Sequence, residues 1–280
     1  MDISFLDIGP QTEPLLIFGG PYSNLAATLA MRAEAERRKI PATRVICTGD
    51  LVAYCAKPQE TVDLIREWGI HVVMGNCEES LASGAIDCGC GFEEGTACSL
   101  LSVEWYNFAS KRINDATRNW FASLPRGLEM IFHGLNFQIV HGTPNQINKF
   151  VFATTDPREK LQELEQLDCD GLIAGHCGIP FGERIGSKYW LNAGVIGMPA
   201  NDGTADGWYM LLEGENGRCR ASWHRLSYPA AQTAAEMQKV GLNCGYAESI
   251  LNGLWPSEDV LPAQEKEQRG RPLNPSPLFF

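Results

Sequence analysis

The sequence predicts an α/β fold whose first half is built on a parallel sheet, and three observations support it. Short apolar runs recur at regular spacing between residues 15 and 76, stretches of helical periodicity separate them, and the runs close on glycine beside a polar residue. Continuous rather than alternating apolar runs are what strands buried on both faces require.

Taken in order, "LLIF" at 15–18 is the first buried strand, and "NLAATLAMRAEAERRK" at 24–39 is a helix with Asn24 suited to its N-cap. "RVICTGD" at 44–50 is the next strand. "PQETVDLIREWG" at 58–69 is a helix opened by Pro58 and closed by Gly69, and "HVVMGN" at 71–76 is a third strand. Residues 77–99 have no sustained period and predict a long loop or inserted lobe rich in Gly, Cys and acid. Helices are expected at about 100–111 and 115–123, before Pro125. "LEMIF" and "FQIVHG" then flank the turn "HGLN", and "DPREKLQELEQL" is a helix capped by Asp156. "GLIAGHCG", "ERIGSKYWLNAG" and "GWYMLLEGENGRCRASWHRL" supply further strands and hairpins, and helices near 229–240 and 246–252 close the fold. The expected organisation is one domain over 1–256, with the Pro-rich, polar residues 257–280 as a mobile tail.

The formal charge of −11 repels polyanions, which excludes general nucleic-acid binding and adhesion to acidic membranes. Arg37, Arg38 and Lys39 read as a solvated helix end. No apolar stretch reaches the roughly 18 residues of a membrane span, and "MDISFLDIGP" lacks a basic flank with a long apolar segment. A cytoplasmic protein is expected. Ten cysteines in that setting are core fillers, metal ligands or reactive thiols rather than a disulfide framework. Cys47, Cys169, Cys219 and Cys244 read as fillers, and His71, His133 and His224 as structural.

Ligands of open α/β sheets gather at the carboxyl ends of the strands. Four strand ends carry side chains of metal-ligand type: Asp50, Asn76, His141 and His176. A carboxylate, an amide and two imidazoles suit one divalent transition metal, zinc, manganese or iron, and suit calcium poorly. The turn "GGPYSN" at 19–24 stands at the same edge with no charged side chain. Either its backbone around Gly19, Gly20, Ser23 and Asn24 holds an anion, or polar ligands have been lost from it.

"GDLVAYCAKP", "GNCEE", "VHGTP", "GHCGIPF" and "LNAGVIGMP" resemble, in order, the motifs of the calcineurin-like metallophosphoesterases, in particular their compact bacterial phosphodiesterase branch. The resemblance runs from about Leu15 to Trp255. It implies a four-layer α/β/β/α sandwich of two mixed β-sheets flanked by helices, with a two-metal centre at the strand ends. It also exposes departures. The family's first motif, D-x-H-G-N, is met here by Gly20 and Tyr22 where its two ligands stand. The final G-H-x-H reads "GHCG", leaving Gly178 for the last histidine, and the G-N-H histidine is Cys77. The resemblance thus implies that the first metal keeps only Asp50, while the second keeps Asp50, Asn76, His141 and His176.

The expected activity is a divergent metal-dependent phosphoesterase, acting on a small phosphodiester or nucleotide through a mononuclear or cysteine-modified site. Cys77, Glu78 and Tyr22 are the candidate catalytic groups: Tyr22 as a phenolic donor or a space-filler, and Glu78 to orient Cys77 or a water. Cys77 and Cys177 are candidate additional ligands, and Cys88, Cys90 and Cys98 candidates for a metal or disulfide role. The alternatives are a non-hydrolytic metal or ligand binder, including a thiol-based sensor, and a regulatory subunit.

Overall fold

The computed structural model describes residues 4–93, 95–215, 217–242 and 245–280; Cys244 lies outside them. In chain order the elements are β1 (Phe5–Gln11), β2 (Leu15–Phe18), α1 (Leu25–Arg37), β3 (Val45–Cys47), α2 (Pro58–Trp68), β4 (His71–Val72), α3 (Asn76–Ser83), α4 (Ala97–Ser110) and α5 (Asp115–Ala122). There follow β5 (Gly127–Phe132), β6 (Leu135–Val140), α6 (Pro157–Glu165), β7 (Gly171–Ala174), β8 (Phe181–Ile185), β9 (Lys188–Asn192), β10 (Gly207–Glu215), β11 (Arg218–Leu226), α7 (Ala230–Lys239), α8 (Tyr246–Asn252), α9 (Ala263–Lys266) and β12 (Leu278–Phe279).

Two mixed six-stranded sheets run β1-β5-β6-β7-β9-β8 and β12-β11-β10-β2-β3-β4. The expected βαβ units are present: β2, β3 and β4 are parallel neighbours, with Ile17 paired to Ile46 and Cys47 to Val72. Alternation along β2 shows why its run is apolar throughout. Leu15 and Ile17 join the core that also holds Phe137, Ile139 and Ile173 of the other sheet, while Leu16 and Phe18 join the helix-side core with Met31, Val62 and Trp105. A third cluster around Leu164, Leu172 and Trp190 covers the outer face of the first sheet. These three interiors make the four-layer sandwich. The helix ends also follow local chemistry: the Asn24 side chain accepts from the Ala27 amide at 3.1 Å, and Gly69 closes α2 in the left-handed conformation.

Two expectations are corrected, on residues 77–99 and on residues 257–280, and of the cysteines given a metal or disulfide role two are now placed. Residues 77–99 are not loop throughout, because α3 opens that stretch; the Glu78 carboxylate accepts the Gly75 amide at 2.9 Å and so caps the helix start. Cys88 and Cys90 form a disulfide, while Cys98 is free.

Nor is 257–280 loose. Leu278 and Phe279 pair with Ala221 and Arg220 of β11, Phe280 exchanges backbone hydrogen bonds with Cys219, and its ring lies 5.7 Å from Phe137 and 4.6 Å from Tyr189. Upstream, the Arg225 guanidinium donates to the Leu273 carbonyl at 2.9 Å, and Glu265 accepts from the Thr154 hydroxyl at 2.9 Å. The terminal apolar triplet finds a sheet edge that composition does not reveal. Deleting 273–280 is expected to cost about 2–3 kcal/mol, the burial of one large aromatic side chain, and to expose the β11 edge to self-association. Urea denaturation and light scattering of the truncated chain check it.

Candidate metal centre

β3, β4, β6 and β7 all end at one rim, and the residues just beyond them are Asp50, Asn76, His141 and His176. Glycine lets the rim close. A Cβ on Gly49, whose φ is +101°, would lie 2.7 Å from the Gly75 amide nitrogen, and one on Gly75 would lie 2.4 Å from Asp50 Oδ1. Asp50 and His176 themselves hold φ of 59°, a left-handed conformation costly to non-glycine residues and frequent at functional sites.

The four side chains converge. His141 Nε2 is 3.2 Å from Asp50 Oδ2, 3.1 Å from Asn76 Oδ1 and 3.1 Å from His176 Nδ1. Their partners fix which atoms face inward. His141 Nδ1 lies 2.6 Å from the Thr48 carbonyl, which only accepts, so Nδ1 carries the proton and Nε2 of the neutral ring presents its lone pair. Asn76 Nδ2 donates to the Cys88 carbonyl at 2.9 Å, so its oxygen faces the centre. The atoms that converge inside the protein are all of ligand type, with Asp50, His141 and His176 buried, and without a metal a proton between His141 Nε2 and Asp50 holds them together as an ion pair. A divalent cation, when bound, takes that proton's place. Two bonds of about 2.1 Å set near 95° apart end about 3.1 Å from each other, so a zinc-sized ion fits these edges.

The electrostatics agree. Burial alone would raise Asp50, but His141 beside it holds the carboxyl below its ordinary value. Burial alone would lower His141, and Asp50 raises it. Burial and the neighbouring His141 drive His176 down to about 3, so that ring stays neutral as a ligand must.

Residues 24–217 match the profile of the calcineurin-like phosphoesterase superfamily domain. The chain belongs to that superfamily. It is 26% identical over 208 residues to the uncharacterized protein MJ0912 of Methanocaldococcus jannaschii, covering 74% of this chain and 77% of that one. Among solved structures, a metallophosphoesterase from Sphaerobacter thermophilus superposes with a TM-score of 0.68 at 21% identity, covering 87% of this chain and 100% of the other. The hypothetical protein PH1004 from Pyrococcus horikoshii OT3 does so with 0.73 at 14% identity, covering 86% and 99%.

Within this calcineurin-like fold, the places that the resemblance gave to the first metal's lost ligands carry no carboxylate or imidazole and are bordered by aromatic and aliphatic groups. A Cβ on Gly20 would stand 2.5 Å from the Tyr22 ring and 2.7 Å from Val195. The Tyr22 ring is buried, edge-on to Tyr54 at 4.8 Å, and Tyr54 in turn packs on Tyr246 at 4.4 Å and Trp105 at 5.1 Å. Beside Gly178 stands the Trp255 indole, 3.4 Å from where a Cβ would be. Restoring the lost ligands with Gly20→Asp and Gly178→His is therefore expected to leave the ion count per chain unchanged and to destabilise the protein, by elemental analysis and thermal melting.

The "GGPYSN" turn is no anion cradle. Its amides are spent on backbone carbonyls: Gly19 on Gly194 at 3.0 Å, Gly20 on Gly49 at 3.0 Å, Tyr22 on Asp50 at 3.2 Å, Ser23 on Leu51 at 2.8 Å and Asn24 on Pro21 at 2.9 Å. The Ser23 hydroxyl accepts from Ala53, and the Asn24 amide donates to Gly197.

Glu78 faces the backbone rather than the cleft. Its carboxylate accepts from the amides of Asp50 (2.8 Å), Leu51 (2.7 Å) and Gly75 (2.9 Å), so it is a positioning residue that holds the Asp50 turn; burial and Asp50 push it up to about 7. Burial, with Asp50 and Glu78, pushes the Cys77 thiol up, and burial pushes Cys177 up to about 12. In the metal-free protein both are thiols at neutral pH, and Asn76 Nδ2 lies 3.6 Å from the Cys77 sulfur. Cys177 lies against Asn192 Nδ2 at 3.2 Å and the Ile179 carbonyl at 3.5 Å. Asn192 is a residue that strand-end spacing does not single out, although it stands in the motif "LNAG"; its amide also donates to the Gly175 carbonyl at 2.7 Å and braces the His176 loop.

Proposed function

We propose that this chain is a phosphoesterase working with one divalent transition ion, zinc, manganese or iron, held by Asp50, Asn76, His141 and His176. The observation that carries the reading is the convergence of Asp50, Asn76 and His176 ligand atoms on His141 Nε2, with the Thr48 and Cys88 carbonyls orienting His141 and Asn76. Such an ion, when bound, supplies Lewis acidity toward a phosphoryl oxygen and brings a water's pKa near 7.

The chain's own groups do the rest. Thr48 keeps His141 in the tautomer that ligates, Glu78 holds the turn carrying Asp50, and Asn192 holds the loop carrying His176. Asp50, Tyr22 and His176 line a cleft of about 70 Å³, where one water needs roughly 10–15 Å³ on the same measure, so a small phosphorylated substrate can displace several waters. Seven free cysteines beside the one Cys88–Cys90 disulfide among the described residues support a reducing compartment, the cytoplasm. No helix among the described residues is long and apolar enough to cross a membrane.

Protein purified without a metal-affinity tag is expected to carry one ion per chain. It should hydrolyse bis(4-nitrophenyl) phosphate, stop on chelation and resume when the ion is returned. Two ions per chain, or turnover indifferent to chelation, overturns the reading. The aromatic filling of the first-metal half favours a second one, a non-hydrolytic metal or ligand binder. One bound ion with no turnover over a broad phosphate ester panel would establish that instead.

A further inference from the structure

The cleft over the candidate centre carries an unusual charge balance for a site that takes phosphate esters. Its walls include the rings of Tyr22, Tyr54, Phe92, Phe150, Tyr246 and Trp255. Among the described residues no lysine or arginine lines it, and the charged one among its lining groups is Asp50. Lys149, next to Phe150 in the chain, is drawn away to Glu159 at 3.0 Å and Glu163 at 2.8 Å. The amides of residues 19–24, the other local source of positive potential, are spent on carbonyls.

A divalent ion beside the Asp50 carboxylate, with the buried Glu78 carboxylate behind the same turn, leaves at most a single net positive charge. A phosphodiester monoanion neutralises it. A phosphomonoester dianion leaves one negative charge in a cleft with no cationic side chain, where an unpaired charge is costly.

The rings supply the complementary preference. Phe92 and Phe150 lie nearly parallel with centroids 6.3 Å apart, and Phe150 covers His176 at 4.2 Å. Trp255 has its indole N–H committed to the Pro199 carbonyl at 2.7 Å, which leaves its ring as the surface it offers. Flat apolar groups gain from stacking on such walls.

We infer that the cleft selects singly charged phosphodiesters bearing an aromatic ester group and rejects phosphomonoester dianions. The inference deepens the proposed function and rests on it for the charge balance, while the ring preference rests on the cleft walls alone. One ion and no free turn amides also leave little to stabilise a basic leaving oxygen, which an aryl ester does not demand.

Calorimetric titration of the full chain, zinc-loaded and metal-free, with diphenyl phosphate, dimethyl phosphate and phenyl phosphate at pH 8 tests it. In the loaded protein, diphenyl phosphate is expected to bind about tenfold tighter than either of the others. In the metal-free protein its lead over dimethyl phosphate should persist. Phe92→Leu and Trp255→Leu should each shrink that lead while the zinc content stays at its wild-type value. Phenyl phosphate binding as tightly as diphenyl phosphate, or rings adding nothing over methyls, overturns the inference. Failure of the metal reading shows separately, as zinc that does not bind while the metal-free ranking stands.

Discussion

Replacing His141 by alanine is expected to empty the centre and to lower turnover of an aryl phosphodiester at least about 100-fold, more than the 10–100-fold typical of a lost outer-shell partner. Its Nε2 atom is the hub, within 3.1–3.2 Å of Asp50, Asn76 and His176. Without it the three remaining groups surround a gap and cannot close on an ion. The same change removes the partner that holds the buried Asp50 ionised, so the metal-free variant should also melt below metal-free wild type. Elemental analysis, turnover and thermal melting on one preparation separate these effects. Retained ion and retained turnover would remove His141 from the centre.

Glu78→Ala is expected to destabilise the fold by about 3 kcal/mol or more, although Glu78 touches neither the cleft nor the ligand atoms. Three backbone amides, those of Asp50, Leu51 and Gly75, donate to its carboxylate, and Glu78 is fully buried. Each buried donor left without an acceptor costs about 1–3 kcal/mol. Glu78→Gln keeps one acceptor oxygen and turns an N–H₂ group toward another donor, so an intermediate loss is expected. Because the Asp50 turn loosens with it, zinc affinity should fall in the same order, glutamate above glutamine above alanine. Denaturant unfolding and competitive chelator titration measure the two quantities, and an alanine variant as stable as wild type would show that water replaces the carboxylate.

Much of this was legible in the chain because it is encoded locally. A continuous apolar run closing on glycine marks a doubly buried strand and its carboxyl end, so the side chains of Asp50, Asn76, His141 and His176 could be assigned to one rim without coordinates. The helix ends at Asn24, Pro58 and Gly69 were readable for the same reason. Where local cues were weak, the reading failed. α3 is short and begins within a Gly-Asn pair that also suits a turn. The tail's composition is that of a linker, yet Leu278, Phe279 and Phe280 close on β11.

The sequence by itself determined the two consecutive βαβ units of residues 15–76, the rim residues and the absence of ligands at Gly20, Tyr22 and Gly178, whereas β1, which joins the other sheet, was not legible in it. Only the tertiary structure decided what became of the vacated half: Trp255 and Val195 close on it from far along the chain, and Gly194, Gly49, Asp50 and Leu51 consume the turn's amides. Whether a donor is free, or a space open, depends on which distant group reaches it. That is a property of packing, and no periodicity or spacing in one stretch of chain contains it.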